Sequence, residues 1–344
     1  MAQGGRRSGR SGRSGRGAAR PHRIPLDVRP RRPFASAGMH TDETKTDTAL
    51  VRRLIAGQFP GWADLPVVPV ASYGTVNALY RLGPDLTVRL PRIEGGSRDV
   101  ETEHRWLPRL APHLPFPVPA PVALGRPAEG YPWSWSVCRW LDGVNPAPGR
   151  GGPHLAADLA ALLAALRRVA VTDGAPPAYR SEPLASRDAS TRAALDRLGG
   201  VIDMARATAA WEEAARAPAA RGPGVWVHGD LQPGNVLVSG DRLGAVIDFG
   251  CMGMADPAVD LIAAWYLLSP EGRKTFRTKV TMSPKADTET EAATEPLADD
   301  ATWARGRGWA LSIALMELSY YRTRNETMAS TARHVIEEIL ADPS

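Results

Sequence analysis

Cysteine is nearly missing from this chain: Cys138 and Cys251 are the two among 344 residues. Thiols so few and so far apart build neither a disulfide framework nor a sulfur metal site, and the default is a reducing compartment. The seven histidines form no HExxH and no other paired-ligand spacing, which argues against a zinc enzyme. No apolar run approaches the ~18–20 residues that a membrane span needs. Arginines open the chain with no apolar stretch behind them, so the N-terminus does not read as a secretory signal. The expectation is a cytoplasmic protein with no membrane partner.

What is present is uneven in charge. The formal net charge is +5, yet residues 1–38 hold ten arginines and a single acid, Asp27. The remaining 32 bases face 36 acids, so a mildly acidic body carries a basic arm. That arm repeats Ser-Gly-Arg over residues 8–16 and is expected to be disordered, since nothing in it can bury a core. Arginines release counterions from phosphates, so nucleic acid is a conceivable partner through the arm alone. Against this, no aromatic precedes Phe34 to stack on a base, and no fold holds the arm. Met39 offers an alternative start, which would leave residues 1–38 untranslated.

Beyond a disordered segment 1–46, the pattern divides in two. TALVRRLIAGQF (48–59) sets Leu50, Val51, Leu54 and Ile55 on one helical face. Short apolar runs at 66–70, 76–82 and 86–90 read as antiparallel strands. A helix over 98–111, a Pro-rich connector over 112–121, and strands at 120–124 and 133–141 complete a strand-rich lobe, 47–141. After a Pro/Gly-rich stretch the character turns helical over 142–344, with helices expected at 154–171, 188–198, 203–217, 257–268, 302–321 and 327–341. Residues 281–300 carry six acids and one lysine and read as a mobile acidic loop. The fold class is α+β, with a small strand-rich lobe ahead of a larger helical one.

The chemistry concentrates in VHGDLQPGNVLV (227–238) and SGDRLGAVIDFG (239–250). Gly240-Asp241 is a hairpin turn between Asn235–Val238 and Leu243–Ile247. Such a hairpin returns Asp248 to the neighbourhood of Asp230 and Asn235. Three oxygen-bearing side chains then meet at one loop edge, a set that suits Mg²⁺. Phosphoryl transfer needs this arrangement: two metal-holding groups and one carboxylate free to receive or orient a hydroxyl. Alone, each residue would read as a turn cap; together, in this order, they read as a site.

HGDLQPGNVLV followed by VIDFG resembles the paired signature of the aminoglycoside phosphotransferase family, relatives of the protein kinases. SYGTVNALYRLG with VRLPR, ETEHRWLPRLAPHLPFPVPAP, DPAVDL and WARGRGWALSIALMELSYY extend the resemblance over 48–344, less the acidic segment. It implies a two-lobed protein-kinase-like fold. Asp230 matches the catalytic carboxylate, and Asn235 with Asp248 the two Mg²⁺ ligands. Arg89 stands where the phosphate-binding cation is most familiar as Lys. Glu103 is the choice for its ion-pairing acid, with Glu101 as rival. Main-chain atoms around Cys138, Arg139 and Leu141 match the hinge that binds adenine. Since ASYGTVN has one glycine rather than GxGxxG, phosphate contacts there fall to Ser72, Thr75 or amides around Gly74. His228 buttresses the loop, Asp256 charges a helix N-terminus and Asp260 holds a loop from within. Of Trp265, Tyr266, Trp303, Trp309, Tyr320 and Tyr321, most are core and one or two face the acceptor.

The implied activity is Mg²⁺-dependent transfer of the γ-phosphate of ATP or GTP to a small-molecule hydroxyl. Aminoglycosides, macrolides, choline, homoserine and sugar-type alcohols stay open as acceptors. Acids at 287–300 and Glu317 lean towards a cationic one. A nucleotide-binding protein without transfer activity is the alternative, but Asp230, Asn235 and Asp248 are all present.

Overall fold

The computed structural model describes residues 44–70, 76–282 and 297–342. Asp47 caps the first helix, its carboxylate accepting the Leu50 N–H at 2.7 Å. This helix, α1 (Thr48–Gln58), buries Leu50, Val51, Leu54 and Ile55, the face read from the sequence. Strands β1 (Val67–Val70), β2 (Asn77–Leu82) and β3 (Leu86–Pro91) follow, then helix α2 (Glu94–Leu110) and strands β4 (Pro121–Gly125) and β5 (Trp135–Arg139). They form one antiparallel sheet in the order β1-β2-β3-β5-β4. Helix α2 begins four residues earlier than expected. Glu94 in its first turn complements the helix dipole and pairs with Arg98 one turn on.

Strand alternation divides this sheet into two faces. Val88, Leu90, Trp135 and Val137 pack with α1 into a small core. Arg89, Ser136 and Cys138 occupy the alternate positions and are buried too. On that side Arg89 meets Glu103 of α2, so a period of two is what turns this cation away from the small core.

The second part is mainly helical: α3 (Pro153–Arg168), α4 (Asp188–Arg197), α5 (Met204–Arg216), α6 (Ala263–Tyr266), α7 (Pro270–Thr281), α8 (Asp300–Tyr321) and α9 (Glu326–Ala341). Helix α8 is buried around almost its whole circumference, from Thr302 to Leu318. The helix expected over 257–268 is a 3-10 segment, Pro257–Ile262, that relaxes into the short α6. Helix α7 was not expected. Its signal is sparse, with Phe276 and Val280 as its large buried apolar residues, but Ser269 caps it and Pro270 opens it. Between α5 and α6 lie β6 (Val225–Val227), β7 (Val236–Ser239), β8 (Arg242–Val246) and β9 (Gly253–Ala255), paired β6 with β9 and β7 with β8. The β7–β8 hairpin turns at Gly240-Asp241, as its sequence demands. No described helix is long and apolar enough to cross a membrane. The arm 1–43 and residues 283–296 of the acidic stretch lie outside the described residues.

Candidate active site

Strand β6 leads into His228-Gly229-Asp230, and a buried carboxylate fixes the turn. Asp260 accepts the main-chain N–H of His228 at 2.8 Å and of Gly229 at 2.7 Å. It does hold a loop from within, while Asp256 caps the 3-10 segment and pairs with Arg305. Gly229 has φ +84°, and a Cβ there would lie 2.6 Å from the Cys251 carbonyl oxygen. No other residue fits that position. His228 is fully buried; its Nδ1 accepts the Asp230 N–H at 3.1 Å, so Nε2 carries the proton and donates to the Ile247 carbonyl at 3.0 Å. Its ring also meets Phe249 edge-on, with centroids 4.6 Å apart. The imidazole thereby ties the Asp230 loop to the Asp248 loop and has no free nitrogen for chemistry.

The hairpin then closes the site. Ile247 N–H donates to the Asn235 carbonyl at 2.9 Å, which brings Asp248 beside Asn235. Asp248 adopts a left-handed backbone, φ +62°, uncommon outside glycine but tolerated by Asp. Its side chain is 43% exposed, a carboxylate still open to solvent. Asn145, which sequence reasoning passed over, secures the turn below by donating to the Pro233 and Val236 carbonyls at 3.0 and 2.9 Å.

Three donors grip Asp230. Asn235 Nδ2 donates to its Oδ2 at 2.8 Å, while Gln232 Nε2 and Arg180 donate to its Oδ1 at 3.1 and 3.0 Å. A carboxylate has about four lone-pair sites, so about one remains for a further donor such as an alcohol. With Nδ2 committed, Asn235 keeps its Oδ1 for a cation, and Asp248 keeps the oxygen that Arg89 does not take. Two hard oxygen donors fit Mg²⁺, which draws the rest of its shell from water and phosphate. Among the described residues no cluster of three or more His, Cys, Asp or Glu is arranged for a metal.

Arg89 forks between two acids. One terminal nitrogen reaches Glu103 at 2.5 Å and the other Asp248 at 3.0 Å. Burial opposes the Arg89 charge, but the two carboxylates outweigh it and raise its pKa. Burial likewise pushes Glu103 up, to about 7, against the pull of Arg89. Glu101, the rival acid, instead accepts the Ser134 hydroxyl at 2.7 Å on the surface. At the end of β5 the Cys138 side chain is buried beside Ser136, and Arg139 spends its N–H on the Ala120 carbonyl. Trp140 spends its own on the Asp85 carbonyl, so Leu141 is the next main-chain N–H along the segment expected to be the hinge. Ser72 and Thr75 lie outside the described residues.

On the far side of Asp230, Gln232 also donates to Glu317 at 2.9 Å, and Glu317 accepts the Tyr266 hydroxyl at 2.8 Å. Glu317 is therefore no free surface acid. Burial pushes it up to about 7, and the Asp230 charge adds to the rise. A pKa raised above its unfolded value gives stability that is complete below about 4.5 and lost as pH climbs through about 7. Glu317→Gln should abolish that loss. Discounted for partial exposure, the stability gap between variant and wild type should shift by roughly 2 kcal/mol between pH 5 and pH 8. Urea unfolding at both pH values reads it, and a constant gap would mean Glu317 titrates normally.

A family model described as "Phosphotransferase enzyme family" matches residues 69–309. Among solved structures, the GDP and kanamycin complex of APH(2")-IIia superposes with a TM-score of 0.64 at 19% identity, covering 85% of this chain and 98% of that one. Macrolide 2'-phosphotransferase type I gives 0.54 at 20%, covering 86% and 99%. The apoenzyme of macrolide 2'-phosphotransferase MphH from Brachybacterium faecium gives 0.51 at 19%, covering 87% and 99%. At these identities the likeness is one of fold, the two-lobed protein-kinase-like one. No curated protein matches the chain.

Proposed function

The chain belongs to the phosphotransferase enzyme family, and on that premise we propose that it moves the γ-phosphate of ATP or GTP to a hydroxyl of a small molecule. The observation that carries this reading is the grip on Asp230: three donors and a remaining lone pair, beside two oxygens suited to a cation. The acceptor hydroxyl donates to that lone pair and is thereby aimed. As its oxygen bonds to the γ-phosphorus, the bond from that phosphorus to the bridging oxygen breaks and nucleoside diphosphate leaves. Asp230 accepts the hydroxyl proton late in this exchange. Asn235 and Asp248 would hold Mg²⁺, which when bound supplies charge neutralisation for the phosphates. Arg89 presents a fixed positive charge, and the Glu103 pair keeps it from swinging away. The main chain from Cys138 to Leu141 receives the base.

Complexes with GDP and kanamycin, and macrolide phosphotransferases, among the structural relatives support a purine nucleotide and an antibiotic-type alcohol as first candidates. The hydrogen-bonded set of Gln232, Glu317 and Tyr266 beside Asp230 supports a polar acceptor. Diphosphate release from MgATP and MgGTP against aminoglycosides, macrolides, choline and amino alcohols tests the activity. Asp248→Ala should weaken Mg²⁺-dependent nucleotide binding by more than about a hundredfold, since even outer-shell changes cost 10–100-fold. Calorimetry that finds MgATP affinity unchanged would remove Asp248 from the metal site.

A further inference from the structure

Beside Asp230 stands a buried cation that this mechanism does not use. Arg180 lies 50 residues from the Asp230 loop in sequence, yet its guanidinium is 3.0 Å from Asp230 Oδ1 and also donates to the Gly229 carbonyl. Its side chain is 9% exposed. The Tyr179 ring lies alongside, 5.5 Å from the guanidinium carbon. An arginine this buried costs desolvation that only charged partners offset; burial opposes the Arg180 charge, and Asp230, first among the neighbours that favour it, helps them raise its pKa.

The delivery of Arg180 is built into the fold. Residues 176–179 lie along the segment that follows Asp248: Met254 N–H donates to Pro176 at 2.8 Å, Ala178 N–H to Met254 at 3.1 Å and Tyr179 N–H to Cys251 at 3.1 Å. The approach is close enough that a Cβ on Gly253 would lie 2.4 Å from the Ala178 nitrogen. Arg180 is thus registered against both the Asp230 loop and the Asp248 segment. With Gln232 it claims Oδ1, while Asn235 claims Oδ2, so the carboxylate cannot rotate and its remaining lone pair has one direction.

We propose that Arg180 is a positioning residue for phosphate transfer, locking the rotation of the Asp230 carboxylate so that it meets the acceptor hydroxyl in line with the phosphate. This rests on the proposed reading of Asp230. Arg180 gives up no proton; it donates the same hydrogen bonds before and after transfer.

The test compares the full-length wild type with Arg180→Ala, Arg180→Lys, Asp230→Asn and the Arg180→Ala/Asp230→Asn double variant. Turnover is followed with MgATP against the acceptor panel and against water. Arg180→Ala should lower kcat about 10- to 100-fold, the scale of a slight misplacement of a reacting group, with KM for MgATP within about twofold. Arg180→Lys should recover part of the loss, and millimolar guanidinium should recover part in the Ala variant but none in Asp230→Asn. In the double variant the two losses should not multiply. Unchanged kcat in Arg180→Ala, or a loss that neither Lys nor guanidinium restores and that moves KM equally, would overturn the proposal. Wild type, Arg180→Ala, Asp230→Asn and their double variant also give an unfolding cycle that needs no acceptor, and additive midpoint shifts would overturn the proposal as well. Wild-type turnover in Asp230→Asn would instead bring down the reading of Asp230 itself, which keeps the two failures apart.

Discussion

Asp230→Asn is expected to cut turnover about a hundredfold to ten-thousandfold, the span of general-base contributions, while nucleotide affinity holds. The reason is visible in the hydrogen bonds. Both Asp230 oxygens accept from N–H donors: Oδ1 from Arg180 and Gln232, Oδ2 from Asn235. An asparagine must place its NH₂ against one of these sets, donor facing donor. Turned towards Asn235, it sets one NH₂ against another; turned towards Arg180, it sets an NH₂ against a buried guanidinium. Either way the side chain swings from its seat, and the hydroxyl loses both an acceptor for its proton and its direction. The residues proposed to contact the nucleotide, Arg89, Asp248 and the main chain of 138–141, are left in place. Diphosphate release under saturating acceptor gives kcat, and titration of MgATP gives affinity. A variant that turns over like wild type would end the role of Asp230. One that loses nucleotide binding equally would make the residue structural.

Much of this site was legible because its logic is local. The Gly240-Asp241 turn and the apolar runs on either side set the hairpin register, and that register alone returns Asp248 to Asn235. Arg89 was picked out by the family resemblance alone; the period-two alternation of β3, seen in the fold, is what sets it opposite the core. Glu103 against Glu101 was undecidable in one dimension, because two positions on a helix differ by a rotation that only the packing of α2 supplies. Arg180 left no mark at all. Its meaning depends on a loop laid along β9, a three-residue strand too short to signal, and on an acid 50 residues away. Glu317 misled for a related reason. An acid near the end of a helix usually faces water, but α8 runs through the interior, and Tyr266 and Gln232 wait for it there.

The largest stability effect is expected at Arg89. Arg89→Met leaves Glu103, 3% exposed, as a buried acid without a cation, a change that typically costs about 3–5 kcal/mol. It also frees Asp248 from its 3.0 Å contact, so the proposed metal ligand loses its fixed position. Arg89→Lys should fare better but not well. A single ammonium has the charge without the fork, and it must serve Glu103 and Asp248 from one nitrogen where arginine uses two. A lost charge-assisted hydrogen bond is worth roughly 1.5–3 kcal/mol, so the Lys variant should fall between wild type and Met in urea unfolding. The double variant Arg89→Met/Glu103→Gln separates the two jobs of this residue. Removing both charges relieves the stranded acid, and most of the lost stability should return. Nucleotide affinity should not return with it, because the positive charge proposed to face the phosphates is still gone. Recovery of both together would place Arg89 in the scaffold alone. Recovery of stability without MgATP binding would put its charge in the nucleotide site, with Glu103 there to keep it in place.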